Sequence, residues 1–166
     1  MTSESRAHMF FREHVEPNMR DWQAGPLEPQ RAMNLAVSLN QLADHFWHSF
    51  GHHPKMVMGT ADVSAFRKAL CAVHPAFALI RDVADAHKHF QLSRSDRRLT
   101  DASQATVTSM GYGEAEFGVG RWGSPPEIVV TYDDGSRHHF SAAVAKTMDM
   151  WKTLLTSGLR SDGDVV

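Results

Sequence analysis

Cysteine is nearly missing from this chain: Cys71 is the only one among 166 residues. No intrachain disulfide can form, and no multi-cysteine zinc or iron–sulfur site. Set in the apolar run Ala69-Leu70-Cys71-Ala72-Val73, it reads as a small core residue. Charge of one sign is lacking too. Lys and Arg number 17 and Asp and Glu 19, a formal net charge of −2 with histidine neutral. That balance excludes a polycation that coats nucleic acid and an acidic disordered tail. Long hydrophobic runs are absent: no stretch approaches the roughly 18 apolar residues of a membrane span. The opening MTSESRAHMFFREHVEPNMRDW mixes acids and bases and has no apolar stretch of signal-peptide kind. A cytoplasmic protein with no membrane partner is the expectation, and no motif calls for a cofactor.

What the chain has in excess is histidine, with 11 residues. Full protonation would carry the net charge from −2 to +9. Such a chain suits metal binding, acid–base chemistry or pH sensing, so the placement of the histidines matters. The length is that of one ordinary domain, able to bury a core without staples. No internal repeat or low-complexity block divides it.

The chain changes character near residue 102. Residues 1–29 read as an N-terminal segment and connector: a short helix at best over 1–18, then a stretch broken by Pro17, Gly25, Pro26 and Pro29. Residues 30–102 form the helical part. The strongest helix is 30–50, where Leu35, Ala36, Leu39, Leu42, Ala43, Phe46, Trp47 and Phe50 fill one arc of roughly 140° at about 100° per residue. Asn34, Ser38, Asn40, Gln41, Asp44, His45 and His48 make its wet side. Gly51 stops it, before the turn at His52-His53-Pro54. A second helix follows Asp62, a good N-cap, and ends where His74 precedes Pro75. A third spans 76–92, with a charged loop over 93–102.

A β-meander occupies 103–140, with strands expected at 105–110, 115–119, 128–132 and 137–140. Asp133-Asp134-Gly135-Ser136 is a hairpin signal between the last two. Ser141 caps a closing helix over 141–158 with Val144, Met148, Trp151 and Leu155 as its stripe; Gly158 ends it and 159–166 fray. The fold class is therefore α+β. It is a single domain of four to five helices in an antiparallel bundle, with a small three- to four-stranded antiparallel sheet inserted before the last helix.

The third helix is dense in polar residues: Arg81, Asp82, Asp85, His87, Lys88 and His89. Arg81 with Asp85 and Asp85 with Lys88 have the spacing of an ordinary salt ladder, and His87 falls in the apolar arc between Ile80 and Val83. The same residues carry a sharper pattern. Arg81 is followed by polar Asp82 and, after five intervening residues, by His87. This resembles the signature of HEPN domains, in which an arginine and a polar residue precede a histidine by a few positions on one helix. The resemblance covers the motif and a helix count over residues 30–92 and the closing helix. It implies a helical bundle, often a homodimer, that binds nucleotides or cleaves RNA without metal. Carried over, Arg81 holds a phosphate, His87 is the acid–base group and Asp82 orients one of them. The family's cleavage uses the ribose 2′-hydroxyl as nucleophile. From residue 86 to 100, the four cations Lys88, Arg94, Arg97 and Arg98 face Asp96 alone, a patch able to hold an RNA backbone.

Two other classes compete. One is a non-catalytic module whose helix–sheet surface binds a partner protein or a ligand. The other is a helix-based metal site, in which His45 and His48 at i,i+3 are joined by His89 from the third helix. No HExxH-like pattern is present. The glycine-rich GYGEAEFGVGRWG (111–123) is flanked by strand-like segments, so it reads as turns and bulges rather than a phosphate loop, with Tyr112, Phe117 and Trp122 covering the sheet. His138 and His139 are expected on opposite faces of their strand.

Overall fold

A computed structural model describes residues 4–88, 97–108 and 126–161. The element order is α1 (Arg6–Phe10), a π-helical turn (Phe11–Val15), α2 (Glu16–Ala24), α3 (Pro29–Phe50), α4 (Val63–Val73), α5 (Pro75–Lys88), a 3₁₀ turn (Ala102–Gln104), β1 (Ala105–Thr108), β2 (Glu127–Thr131), β3 (Arg137–His139) and α6 (Phe140–Ser161). The strands form one antiparallel sheet in the order β1-β2-β3, placed before the last helix. The α+β class is thus as expected from the sequence.

The N-terminal segment departs from expectation. Residues 6–24 are helical throughout, where a short helix and a break at Pro17 were expected. Proline lacks an N–H and its ring crowds the carbonyl four residues back, which should interrupt an α-helix. Here the turn before it widens to π geometry, with the Glu16 N–H bonded to the Phe11 carbonyl, and Pro17 falls in the first turn of α2. The rod stays continuous and buries Ala7, Val15 and Trp22.

That rod explains a second departure. It lies along the flank of α3 that the sequence marks as wet, where Ser38 is buried; Asn40, also on the side read as wet, is buried too. Phe10 stacks on His45 at 3.9 Å between ring centroids, and the Ala7 N–H donates to Ser49 Oγ at 3.1 Å. Helix α3 is the axis of the molecule, packed by α1, α2, α4, α5 and α6. Trp151 of α6 is fully buried against it. Its Nε1 donates to the Leu39 carbonyl at 3.1 Å, and its ring meets Phe46 and Phe77 at 5.8 and 5.7 Å.

Asp62 caps α4 as expected, its Oδ1 accepting the Ala65 N–H at 2.8 Å. The 132–136 hairpin is also as read: the Tyr132 N–H donates to the Ser136 carbonyl at 2.8 Å, and Gly135 takes the left-handed φ of +82° that the turn needs. The closing helix differs at both ends. It begins at Phe140 and runs through Gly158 to Ser161. Ser141 is not its own cap; Glu127 of β2 serves instead, its Oε1 accepting both the N–H and the hydroxyl of Ser141. A glycine inside a helix costs only about 1 kcal/mol, too little to stop one already packed. The expected strand at 115–119, the glycine-rich stretch 111–123 and its aromatics lie outside the described residues.

Candidate functional site

Two helices begin at the same corner of the molecule. At the first start, His74 ends α4 in non-helical geometry (φ −123°, ψ 87°), as a residue before proline tends to, and Pro75 opens α5 directly. At the second, β3 passes into α6 with no loop, so His139 is followed at once by helical Phe140. The first-turn amides of a helix have no partner inside it, and the helix dipole makes that end electropositive. Between the two starts lies a cleft of about 460 Å³.

Its walls come from four places. Val73, His74, Pro75, Ala76, Phe77 and Leu79 line it from the α4–α5 junction, and Ala142, Ala143, Lys146 and Thr147 from α6; Tyr132, His138 and His139 of the hairpin complete it, with Arg98 beside Tyr132. The lining thus holds two cations and three imidazoles, and among the described residues no carboxylate.

The arginine and the hairpin's polar groups are placed by identifiable contacts. The Arg98 N–H donates to Asp82 Oδ2 at 3.2 Å, and its carbonyl accepts the Asp133 N–H at 2.9 Å. With both backbone groups fastened, its guanidinium lies over the Tyr132 ring, 5.9 Å from the centroid. His138 packs on the same ring at 4.6 Å, and its Nε2 is 3.1 Å from Ser136 Oγ. His139 Nδ1 bonds Glu127 Oε2 at 2.8 Å, which leaves Nε2 as its other polar atom. Burial pushes the Tyr132 hydroxyl up to about 12, and nearby Asp82 adds to the shift.

Thr147 differs from the other hydroxyls of its helix. Thr153, Thr156 and Ser157 each donate to the carbonyl four residues back, at 2.8–2.9 Å. Thr147 is only 1% exposed, and its Oγ1 has no hydrogen-bond partner among the described residues. An unsatisfied buried hydroxyl costs about 1–3 kcal/mol. Residues 142, 143, 146 and 147 form one face of α6, and that face lines the cleft.

Of the residues singled out from the sequence, those that the structure describes are placed elsewhere, with the exception of Arg98. Arg81 is 7% exposed rather than part of a surface ladder; its Nε and Nη2 donate to Asp82 Oδ1 at 3.1 and 2.9 Å. Asp82 is buried, and its carboxyl is raised by desolvation while Arg81, Arg97 and the Arg98 N–H pull the other way. Asp85 pairs with Arg97, whose Nε and Nη2 reach Asp85 Oδ2 at 2.9 and 2.6 Å. Arg97 is therefore a buried ion-pair member rather than a surface phosphate contact.

His87 is exposed, not set in the apolar arc. It lines a separate groove with Phe10, His14, Asn18, Asn34 and Gln41. On the regular helix α5, six residues turn Arg81 and His87 apart by about 240°. Arg94 and His89 lie outside the described residues, as does the Lys88 side chain. His45 is stacked on Phe10, His48 is exposed beside Trp47, and no group of three or more potential metal ligands occurs among the described residues.

Sequence reasoning missed His74, Tyr132, Lys146 and Thr147. It also separated His138 from His139, yet both border the cleft, because β3 is three residues long and the cleft opens where it ends. One signal was available: histidine immediately before each of two helix starts, at His74-Pro75 and His139-Phe140. Comparison with protein-family models, curated proteins and solved structures gives no match to this chain.

Proposed function

We propose that this protein is a ligand-binding module that takes a small molecule in the cleft between the two helix starts. The observation that carries the reading is Thr147, a buried hydroxyl left without a partner on the face of α6 that lines a cleft of about 460 Å³. Folded proteins satisfy their buried polar atoms, and ligand sites are a recurrent exception. The volume suits a ligand of metabolite size, and the mix of apolar wall with a few convergent polar groups is that of small-molecule sites.

A fluorine-NMR screen of a fixed fragment library tests this, with amide shifts used to locate the hits. Fragments should perturb residues 74–77 and 138–147, and Ala142→Trp, which fills the mouth from an exposed position, should abolish them. Hits scattered over the surface, or untouched by Ala142→Trp, would remove the cleft as a binding site. The ribonuclease reading needs Arg81 and His87 at one phosphate. Arg81 faces Asp82 and His87 borders another groove, so the geometry favours the ligand module. Incubation with total RNA in EDTA keeps the two apart: cleavage by wild type and none by His87→Ala would restore the Arg–His pair.

A further inference from the structure

We infer that the ligand of this cleft is a small phosphate monoester, its phosphate seated between the two helix starts and its apolar body lying toward Val73. The inference rests on the ligand-module reading above and adds the chemistry of the ligand.

Three independent features converge on an oxyanion. The first turns of α5 and α6 both border the cleft through Ala76, Phe77, Ala142 and Ala143. The Ala76, Phe77 and Ala142 amides are oriented donors with no intrahelical partner, at two electropositive helix ends of which that of α6 is already capped at Ser141 by Glu127. Arg98 and Lys146 both border the cleft and supply full positive charges. Thr147 supplies a buried, unpartnered hydroxyl. Its Oγ1 forgoes the carbonyl that Thr153, Thr156 and Ser157 use, and Thr147 is one of the residues lining the cleft. A tetrahedral phosphate, with three terminal oxygens, can take donors from several directions at once; a planar carboxylate takes fewer.

Negative charge is also present around this shell: Asp82 and Asp134 act on Tyr132, and Asp134 is near Arg98 and His138 as well. Glu127 holds His139 and caps Ser141, the latter one residue before the α6 amides that border the cleft. At the rim, Val73 is 61% exposed, the largest fraction among the exposed large hydrophobics, and it borders the cleft. It offers the ester's organic part an apolar wall continuous with Phe77 and Leu79.

The experiment is titration of the ¹⁵N-labelled full chain with inorganic phosphate, phenyl phosphate, adenosine 5′-monophosphate and phenol. Phenyl phosphate should move the amides of Ala76, Phe77, Ala142 and Ala143 and bind more tightly than either inorganic phosphate or phenol. Lys146→Gln, an exposed change that leaves the fold alone, should weaken it about tenfold. Thr147→Val should weaken it comparably while raising the melting temperature of the free protein, because the unsatisfied hydroxyl is gone. A purely structural threonine would do the opposite. Tighter binding of adenosine 5′-monophosphate than of phenyl phosphate would make the source a nucleotide; the reverse order would make it another phosphorylated metabolite. Equal binding of phenol and phenyl phosphate, indifferent to both variants, overturns the phosphate and leaves the cleft. Absence of any cleft perturbation by these probes and by the fragment library overturns both.

Discussion

Asp82 Oδ2 accepts the backbone N–H of Arg98, sixteen residues further on, at 3.2 Å. The bond ties α5 to the segment that leads into the sheet, and it fixes the residue whose guanidinium borders the cleft. Asp82 Oδ1 meanwhile accepts two bonds from Arg81 and lies 3.6 Å from Arg97. Removing one partner of a buried ion pair is strongly destabilising, at about 3–5 kcal/mol. Asp82→Ala should therefore cost that order of stability in urea unfolding. Asp82→Asn keeps an acceptor for Arg98 and should cost less. A loss under about 1 kcal/mol for Asp82→Ala would show that water reaches the pair.

Trp151 joins the last helix to the central one across 112 residues of sequence. Trp151→Phe removes the Nε1–Leu39 bond and part of a fully buried ring that touches Phe46 and Phe77. The expected loss is about 1–3 kcal/mol, combining a lost hydrogen bond with an underfilled core. Equilibrium unfolding followed by far-ultraviolet circular dichroism reads it. An unchanged midpoint would mean that α6 docks mainly through its other contacts.

These two links differ in how far the sequence announces them. Trp151 lies on the Val144–Met148–Trp151–Leu155 stripe, so its burial follows from helical periodicity alone. Helices α3, α4 and α6, the 132–136 hairpin and the sheet's position before α6 were legible for the same reason: periodicity, capping and turn residues act locally. The continuous N-terminal rod was hidden by Pro17. The four-residue spacing of Ala7, Phe11 and Val15 signals the helix up to the proline, and the π-turn over Phe11–Val15 lets the rod continue through it. The cleft was illegible because it is assembled from residues some 25 to 75 positions apart, on the starts of two helices and one hairpin. Arg81 and His87 stand out in the sequence by proximity. Facing directions, which decide chemistry, emerge only once α5 is built.

Acid should loosen the contact between the N-terminal rod and α3. His45 is stacked on Phe10, and burial lowers its pKa, with His14, His48 and Arg6 adding repulsion. A group that prefers to stay neutral in the folded state binds fewer protons there than in the unfolded chain. Stability from this site is therefore full above about 6.5 and falls as pH drops below it. Amide hydrogen exchange across residues 6–15 should accelerate over that window, and His45→Gln should flatten the change. The same acid sensitivity in His45→Gln would assign it to another group.

Alkali should act at the hairpin. The Tyr132 hydroxyl is pushed up to about 12 by burial, from an ordinary value near 10. Between those values the folded state holds a proton that the unfolded chain has released. Stability from Tyr132 is thus intact below pH 10 and declines as pH rises toward 12, by up to about 2–3 kcal/mol at 1.36 kcal/mol per unit. The loss should be visible as a falling urea midpoint across that range, with the phenolate absorbance of the folded protein appearing late. Tyr132→Phe should lose the slope while keeping the ring that carries Arg98 and His138. If Tyr132→Phe unfolds over the same alkaline range as wild type, a lysine or arginine elsewhere governs the transition. In that case the ring under Arg98 would still be a platform, but its hydroxyl would be open to water, and the cleft would be wetter than its buried Thr147 indicates.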